Sequence, residues 1–484
     1  MSKDRDWRPK PGDRFIRRLP RRYRLRRVLG VPALFSAGYG NVGSSIYYAL
    51  GIVALVALGA TPIVLGIAGI LFIFTALTYA EGTAMFPESG GSASFARHGF
   101  GSMVGFISGW ALLLSYVATI AISAYTIPPY LGYFWEPFKS SAIVGTITSI
   151  GIILFLLVLN IRGVEESSRI NILFAFVDIV TQISIIILGF LFIFNLDILT
   201  QNMFGEGNWP KFPDLIFGIA LASLAYTGIE TVSQMADETR RPQVRAPKAL
   251  MYMIFFVLLI FSGISMVALS AMSPQILGDS IHGWARDPVA GIAASFPSEG
   301  LTAIYMPLVA ILAGSILLIA TNAGIMGISR LTFSLGEHRQ IPSVFSRIHP
   351  RFGTPYIPIV LFCVIALVLL LPGFFASNLF AHLGSLYTFG SLLSFGFAHA
   401  SILILRIRKP GLDRPFKIKF NVNIRGKDLP LTSIIGLGVT LSIWVVIMVV
   451  EPVSRWVGLG WMLLGILGYI IYQRRKGLFS EEGG

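Results

Sequence analysis

The residues best placed to do chemistry in this chain are few, and they sit where an apolar helix should carry no polar group. Gly38-Tyr39-Gly40-Asn41-Val42-Gly43-Ser44-Ser45-Ile46-Tyr47 interrupts the first long apolar segment with three glycines, an asparagine and two serines. Glycine costs about 1 kcal/mol relative to alanine inside a helix, and in hydrocarbon an unpaired backbone group has no water to bond. Such a break is tolerated only where it lines a cavity or binds something. Ala225-Tyr226-Thr227-Gly228-Ile229-Glu230 repeats the feature in a later apolar segment. An opened turn frees N–H groups at one half-helix end, which suit a carboxylate. It frees C=O groups at the other, which suit an ammonium or a small cation. Two facing breaks can therefore hold a zwitterion and leave its side chain to select.

Asp178 is the second candidate. It lies nine residues beyond Arg169 in an apolar segment, about 13 Å into a membrane at 1.5 Å per residue. An ionisable group at that depth is functional by default. It suits a proton site, or Na⁺ if carbonyl oxygens are at hand. Thr321 and Asn322, at a similar depth in another segment, are its expected polar partners for ion coupling. Glu81 and Glu230 read as hydrogen-bonded structural acids or gate latches. The six histidines are scattered, with no HExxH spacing, so neither an enzyme nor a bound cofactor is expected.

The elements that position these residues are membrane helices. Of 484 residues 54% are hydrophobic and 13% charged, about half the ~25% charge of a soluble chain; mean hydropathy is +0.74. Runs of roughly 18–25 apolar residues each suffice to cross a ~30 Å core. Twelve spans are expected, near 28–58, 62–80, 101–133, 141–161, 170–195, 213–235, 247–270, 302–335, 355–371, 378–406, 429–450 and 457–473. The net charge of +14 follows the positive-inside rule rather than a nucleic-acid footprint. Arg97, Arg162, Arg240, Arg339, Arg347, Arg406 and Arg474 fall in alternate loops, and the others are nearly neutral. This places a multi-pass protein in the cytoplasmic (plasma) membrane with both ends cytoplasmic. The expected partners are the lipid bilayer and a small molecule, with no nucleic acid; the sequence leaves oligomeric state open. Single Cys363 excludes an internal disulfide. Residues 1–27 form a basic arm without signal-peptide character. Residues 28–407 form a core of ten helices, 408–428 a cytoplasmic loop, and 429–484 two further helices and a tail. Between Ser270 and Leu301 a short helix at Asp287-Pro288-Val289-Ala290-Gly291 would cap the outer face. Trp135, Trp456, Trp461, Tyr469 and Tyr472 read as interfacial belts.

Gly43 and Gly228 lie five spans apart. An odd number of spans threads the second copy the opposite way, giving inverted halves of about 28–195 and 213–407. Paired broken helices in inverted halves point to a transporter site near the midplane. One such break alone is as well explained by close helix packing.

Val42-Gly43-Ser44-Ser45-Ile46-Tyr47 resembles the first-helix IGSGIF motif of the amino acid–polyamine–organocation (APC) superfamily of amino acid permeases, with Ser45 in place of the second glycine. Tyr79-Ala80-Glu81 and Pro87-Glu88-Ser89-Gly90-Gly91 resemble its second-helix signature. Ala225 to Glu230 with Asp237-Glu238-Thr239-Arg240-Arg241-Pro242 resembles its sixth-helix AFTGFE and E-x-x-x-P pattern. Ser329-Arg330 and Arg414-Pro415-Phe416 are further matches. The resemblance covers about residues 28–420. It implies an all-α, leucine-transporter-type core of five-plus-five inverted repeats with helices 1 and 6 broken, working by alternating access. The substrate carboxylate would lie near Gly43, Ser44 and Ser45. The amine would lie near carbonyls of Tyr39 to Val42 and Tyr226 to Gly228, with Tyr226 as an aromatic gate. The expected substrate site is Tyr39, Asn41, Val42, Gly43, Ser44, Ser45 and Ile46 with Ala225, Tyr226, Thr227, Gly228 and Ile229. Many relatives carry a helix-5 lysine that stands in for sodium; here Asp178 reverses that charge and favours a bound H⁺ or Na⁺. The reading is a secondary transporter of amino acids or related amines coupled to one of these ions. A polyamine, organic-cation or K⁺ transporter of the same fold is the alternative, and a transport-inactive sensor the reading from another class.

Overall fold

The computed structural model describes residues 27–163, 168–376, 378–424 and 426–476; the basic arm up to residue 26 lies outside them. Helix α1 (Val31–Val42) and α2 (Ile46–Ala57) flank the 3-10 turn Gly43–Ser45. There follow α3 (Thr61–Met85), α4 (Ser92–Phe100), α5 (Ser102–Leu131), α6 (Pro137–Ser140), α7 (Ala142–Arg162), α8 (Ser168–Phe192) and α9 (Leu196–Phe204). The second half runs α10 (Phe212–Ala222), α11 (Glu230–Gln234), α12 (Pro242–Ala271), α13 (Pro274–Gly278), α14 (Pro288–Ala294), α15 (Glu299–Glu337), α16 (Tyr356–Leu370) and α17 (Leu379–Arg408). Strands β1 (Asn421–Ile424) and β2 (Lys427–Pro430) precede α18 (Leu431–Val450) and α19 (Pro452–Lys476).

Eleven stretches among the described residues are long and apolar enough to span a membrane. The first, Val31–Met85, has 55 residues. At 1.5 Å per residue that is more than twice a ~30 Å core, and the chain turns at Leu58, whose φ is +46°. Both ends of the stretch then meet the same segment: Val28 donates to the Glu238 carbonyl and Ser89 Oγ to that of Gln234. It therefore crosses twice, which restores the twelve expected crossings.

The two halves mirror each other in detail. Amphipathic α4 follows the second crossing on the arginine-rich face; α13 and α14 follow the seventh on the opposite face. The outer cap expected around Asp287 to Gly291 is α14, and it is seated hard: a Cβ on Gly51 of α2 would fall 2.0 Å from the Ala285 carbonyl oxygen. Lys139 closes it from α6, 2.7 Å from Asp287 and 4.0 Å above the Trp284 ring. Burial pushes the Asp287 carboxyl up to about 6 despite that lysine.

Two readings change. Trp461 is no interfacial belt residue: its indole N–H and that of Trp110 each donate to the other's carbonyl, with rings stacked at 4.8 Å, and Tyr469 stacks on Phe106. These contacts dock α19 onto α5. The 408–428 loop also holds structure, the β1–β2 hairpin, that its polar composition did not announce.

Candidate substrate site at the paired breaks

Both interruptions are present, and they differ. At the first, Val42, Gly43, Ser45 and Ile46 all keep right-handed helical dihedrals, and the Gly43 N–H donates to the Tyr39 carbonyl. The helix tightens into a 3-10 turn instead of unwinding, so its backbone groups find partners without water. The serines turn inward as well: Ser44 Oγ donates to the Asn41 carbonyl at 2.9 Å, and Ser45 Oγ meets Tyr48 Oη at 2.9 Å. A Cβ on Gly43 would lie 2.6 Å from Tyr39 Cζ; the absent side chain makes room for that ring. The open anion cradle expected of Gly43, Ser44 and Ser45 is thus closed here by Tyr39.

At the second, α10 passes through the 3-10 turn Ser223–Tyr226, Thr227 is extended, and Gly228 has φ +107°. That backbone is one L side chains rarely adopt. The same glycine receives Asn41, whose side chain would be 2.8 Å from a Cβ there, and Asn41 Nδ2 donates to Thr231 Oγ1 at 3.0 Å. The two breaks therefore touch through Asn41. Tyr226 faces elsewhere: its hydroxyl donates to the Leu65 carbonyl and its ring lies between Phe72 and Phe261. That places it in an aromatic wall rather than across the break.

Asp178 is fully buried and bridges both halves of the first helix. Tyr39 Oη donates to Oδ2 at 2.7 Å and Tyr47 Oη to Oδ1 at 2.5 Å. The expected partners lie elsewhere. Thr321 Oγ1 bonds back to the Leu317 carbonyl, and Asn322 Oδ1 accepts from Asn160 Nδ2. In a helix interior a threonine hydroxyl is satisfied by its own preceding turn, so shared depth did not bring it to Asp178. Among the described residues no group of His, Cys, Asp and Glu gathers to hold a metal.

A polar nest beside the second break was not legible as a whole. Glu230 Oε2 accepts the Gly228 N–H at 3.1 Å. Its Oε1, Asn41 Oδ1, the hydroxyls of Tyr79, Tyr116 and Tyr387, and the Gln234 amide are buried without a well-formed hydrogen bond. All three tyrosines lie within electrostatic reach of Glu230. Groups of this kind seldom go unsatisfied, and here they come from five separate helices. The sequence signal is polar residues inside apolar runs, which marks Asn41 and Glu230 but not Tyr116, Tyr387 or Gln234. A cleft lined by Ala37, Tyr116, Thr231, Gln234, Met326 and Arg330 leads from the nest toward the arginine-rich face.

Residue similarity decides the family: the amino acid permease model matches residues 29–472. The chain belongs to the amino acid permeases. It is 26% identical to the branched-chain amino acid permease BcaP of Bacillus subtilis, over 94% of this chain and 95% of that one. Identity is again 26% to the methylthioribose transporter of Bacillus subtilis, with the same coverage. The human large neutral amino acids transporter small subunit 2 is 26% identical over 94% of this chain and 83% of its own. This permease is thus a membrane transporter of the APC superfamily and not an enzyme.

The family motifs of the permease pair up on the arginine-rich face. Arg330 lies 2.8 Å from Glu238, whose carbonyl holds the Val28 and Leu29 N–H groups. Glu81 is fully buried and gripped at both oxygens by Arg406 (2.9 and 2.5 Å), with the Ile418 N–H at 2.9 Å and Arg414 at 3.5 Å. It is the structural acid expected of it. Ser89 clasps α11 through the Gln234 carbonyl and Asp237. Burial alone would raise the neighbouring Glu88 carboxyl, but Arg97, His98 and a Ser94 hydrogen bond outweigh it and hold Glu88 below its ordinary value.

Proposed function

We propose that this permease moves an α-amino acid across the cytoplasmic membrane by alternating access, coupled to a proton, with both termini on the arginine-rich, cytoplasmic side. The observation that carries the reading is the contact of two breaks through Asn41, beside a buried carboxylate oxygen of Glu230 that lacks a partner. An α-ammonium would give that oxygen the donor it lacks. Opening the 3-10 turn when Tyr39 swings away would offer the N–H groups of Gly43, Ser44 and Ser45 to the carboxylate. Relatives at equal identity carry different cargo by name, amino acids or methylthioribose. A neutral sugar could donate a hydroxyl to the Glu230 oxygen but would bring no positive charge to a buried carboxylate, so the nest favours the amino acid. The outer cap latched by Lys139 and Asp287 and the cleft toward Arg330 support an inward-facing state.

Asp178 is assigned the coupling role. Its oxygens face two hydroxyl donors, whereas Na⁺ needs a shell of oxygen lone pairs. Protonating the carboxyl removes the charge to which both phenols bond, and so loosens the tie between α1 and α2. The ion that does this is H⁺.

The test begins with melting temperatures of the purified protein against L-amino acids, polyamines and methylthioribose. A ligand at 100 times its Kd stabilises by about 2.7 kcal/mol. The ligand found is then offered to proteoliposomes under a proton or a sodium gradient. Asp178→Asn is expected to abolish proton-driven accumulation and to keep counterflow exchange. Accumulation that persists in Asp178→Asn, or follows sodium alone, overturns the coupling assignment; stabilisation by methylthioribose but by no amine overturns the substrate class.

A further inference from the structure

We infer that the β1–β2 hairpin is a lipid-docking element that embeds Phe420, Val422 and Ile424 in the inner leaflet, with anionic phospholipid headgroups bound by the lysines around them. The hairpin pairs Val422 with Leu429 and Ile424 with Lys427. Strand side chains alternate between faces, so Phe420, Val422 and Ile424 share one face and Asn421 and Asn423 the other.

The polar face is spent on the protein at Asn421, whose Oδ1 accepts from Arg406 Nη1 at 2.7 Å beside the Asp428 carbonyl, which accepts from the same nitrogen at 3.2 Å. The exposed Asn423 Nδ2 bonds across the hairpin to Asp428 Oδ1 at 3.2 Å. Along β1 the apolar face is left outward, with Phe420 69% exposed, Val422 39% and Ile424 45%, while Leu429 opposite Val422 is buried. Three apolar side chains in a row on a water-facing hairpin are an aggregation hazard, unless something apolar covers them.

The bilayer is the occupant that position and charge both select. β2 runs into α18 without a linker, and the Leu431 N–H donates to the Phe420 carbonyl at 2.9 Å. Phe420 is therefore level with the first turn of a membrane-crossing helix. Leu431 and Ile435, both 41% exposed, continue the apolar surface up the lipid-facing side of α18. Around this patch the sequence from 408 to 428 holds seven Lys or Arg against two Asp. Lys419 is exposed, and Lys417 reaches only an exposed Asp428 at 3.4 Å. Juxtamembrane basic groups flanking apolar side chains are the two signals that together make interfacial binding strong. Topology alone would account for the charge, but not for its pairing with an apolar strand face.

Docking would also reach the core. Arg406, which anchors Asn421, is the residue that grips Glu81 at the end of α3, and the Ile418 N–H just before the hairpin bonds the same carboxylate. Lipid held at the hairpin thus steadies the α3–α17 lock.

The experiment uses the full chain with Cys363→Ala, which leaves no cysteine. Phe420→Cys, Val422→Cys, Asn423→Cys and Ile424→Cys are introduced one at a time and labelled with an NBD fluorophore. The proteins are placed in nanodiscs of phosphatidylcholine or of phosphatidylcholine with one-quarter phosphatidylglycerol, each with a lipid carrying a doxyl quencher at acyl carbon 5. Quenching at 420, 422 and 424 is expected to exceed that at 423 by about twofold or more, as the strand alternation requires, and to rise with phosphatidylglycerol. Equal quenching at all four positions, or iodide access from water at 420, 422 and 424, overturns the proposal. Unlabelled protein with its native residues provides the second measurement. Amide exchange over 418–430 should slow in the phosphatidylglycerol discs; equal exchange in both lipids overturns the anionic component.

Discussion

Among individual residues, those with the most structural leverage are buried charges, and Glu81 with Arg406 is the clearest case. Glu81 is fully buried and Arg406 is 4% exposed, so the pair is removed from water and held by two direct bonds and the Ile418 N–H. Removing one partner of such a pair costs about 3–5 kcal/mol, because the other charge stays buried and alone. Glu81→Gln and Arg406→Met are each expected to lower the melting temperature sharply. The double variant should recover part of the loss, and thermal unfolding of the four proteins in one detergent measures the coupling. A double variant as unstable as the sum of the singles would mean that the two side chains act independently. The sequence marked Glu81 as a structural acid or gate latch from its place at a span end. It could not name Arg406, because a contact across 325 residues leaves no local pattern. The same holds for Asp178. Its depth was legible from nine residues of helix, whereas its partners Tyr39 and Tyr47 come from 139 and 131 positions away.

Elements were legible to within a few residues wherever hydropathy defines them. The fourth span, expected at 141–161, is α7 at Ala142–Arg162; Ser141 caps its first turn and Gly163 ends it at φ +71°. Each helix must satisfy its own backbone in lipid, so composition alone dictates the element. The hairpin at 421–430 obeys no such constraint and escaped notice. So did the form of the first break: glycine and serine signal a departure from α-helix but do not distinguish unwinding from tightening. The outer cap carries a prediction of its own. Asp287 in the folded protein stays protonated up to about 6, above its ordinary 3.8. The cap's contribution to stability is therefore complete below about pH 4 and declines as pH rises through about 6. Lys139→Met removes the cation that limits this decline. Its melting temperature should lie close to that of the parent at pH 4 and fall progressively below it between pH 4 and 7. A deficit that is constant over this range would show that Lys139 acts only by packing on Trp284.

Across the whole molecule the two halves are closed on opposite sides by different contacts, and the proposed inward-facing state turns on which of them the cleft passes. Opposite the arginine-rich face, α14, Trp284 and the Lys139–Asp287 pair lie over α2. On the arginine-rich face the closure is Arg330 with Glu238, whose carbonyl also holds Val28 and Leu29, and the Ser89 clasp on α11. The cleft past Arg330 and Gln234 lies between those contacts. Access to the nest should therefore be one-sided. In a Cys363→Ala background, Gln234→Cys places a thiol on the cleft wall. A membrane-impermeant thiol reagent is expected to modify it from the arginine-rich side of oriented proteoliposomes and not from the other. The transported amino acid should slow that reaction by occupying the nest, and an outward proton gradient should redistribute the protein toward the opposite side. Adding Lys139→Met unlatches the cap and should permit reaction from the far side. Passage of the reagent itself through the Lys139-containing protein into the vesicle lumen would mean a continuous pore, which alternating access forbids.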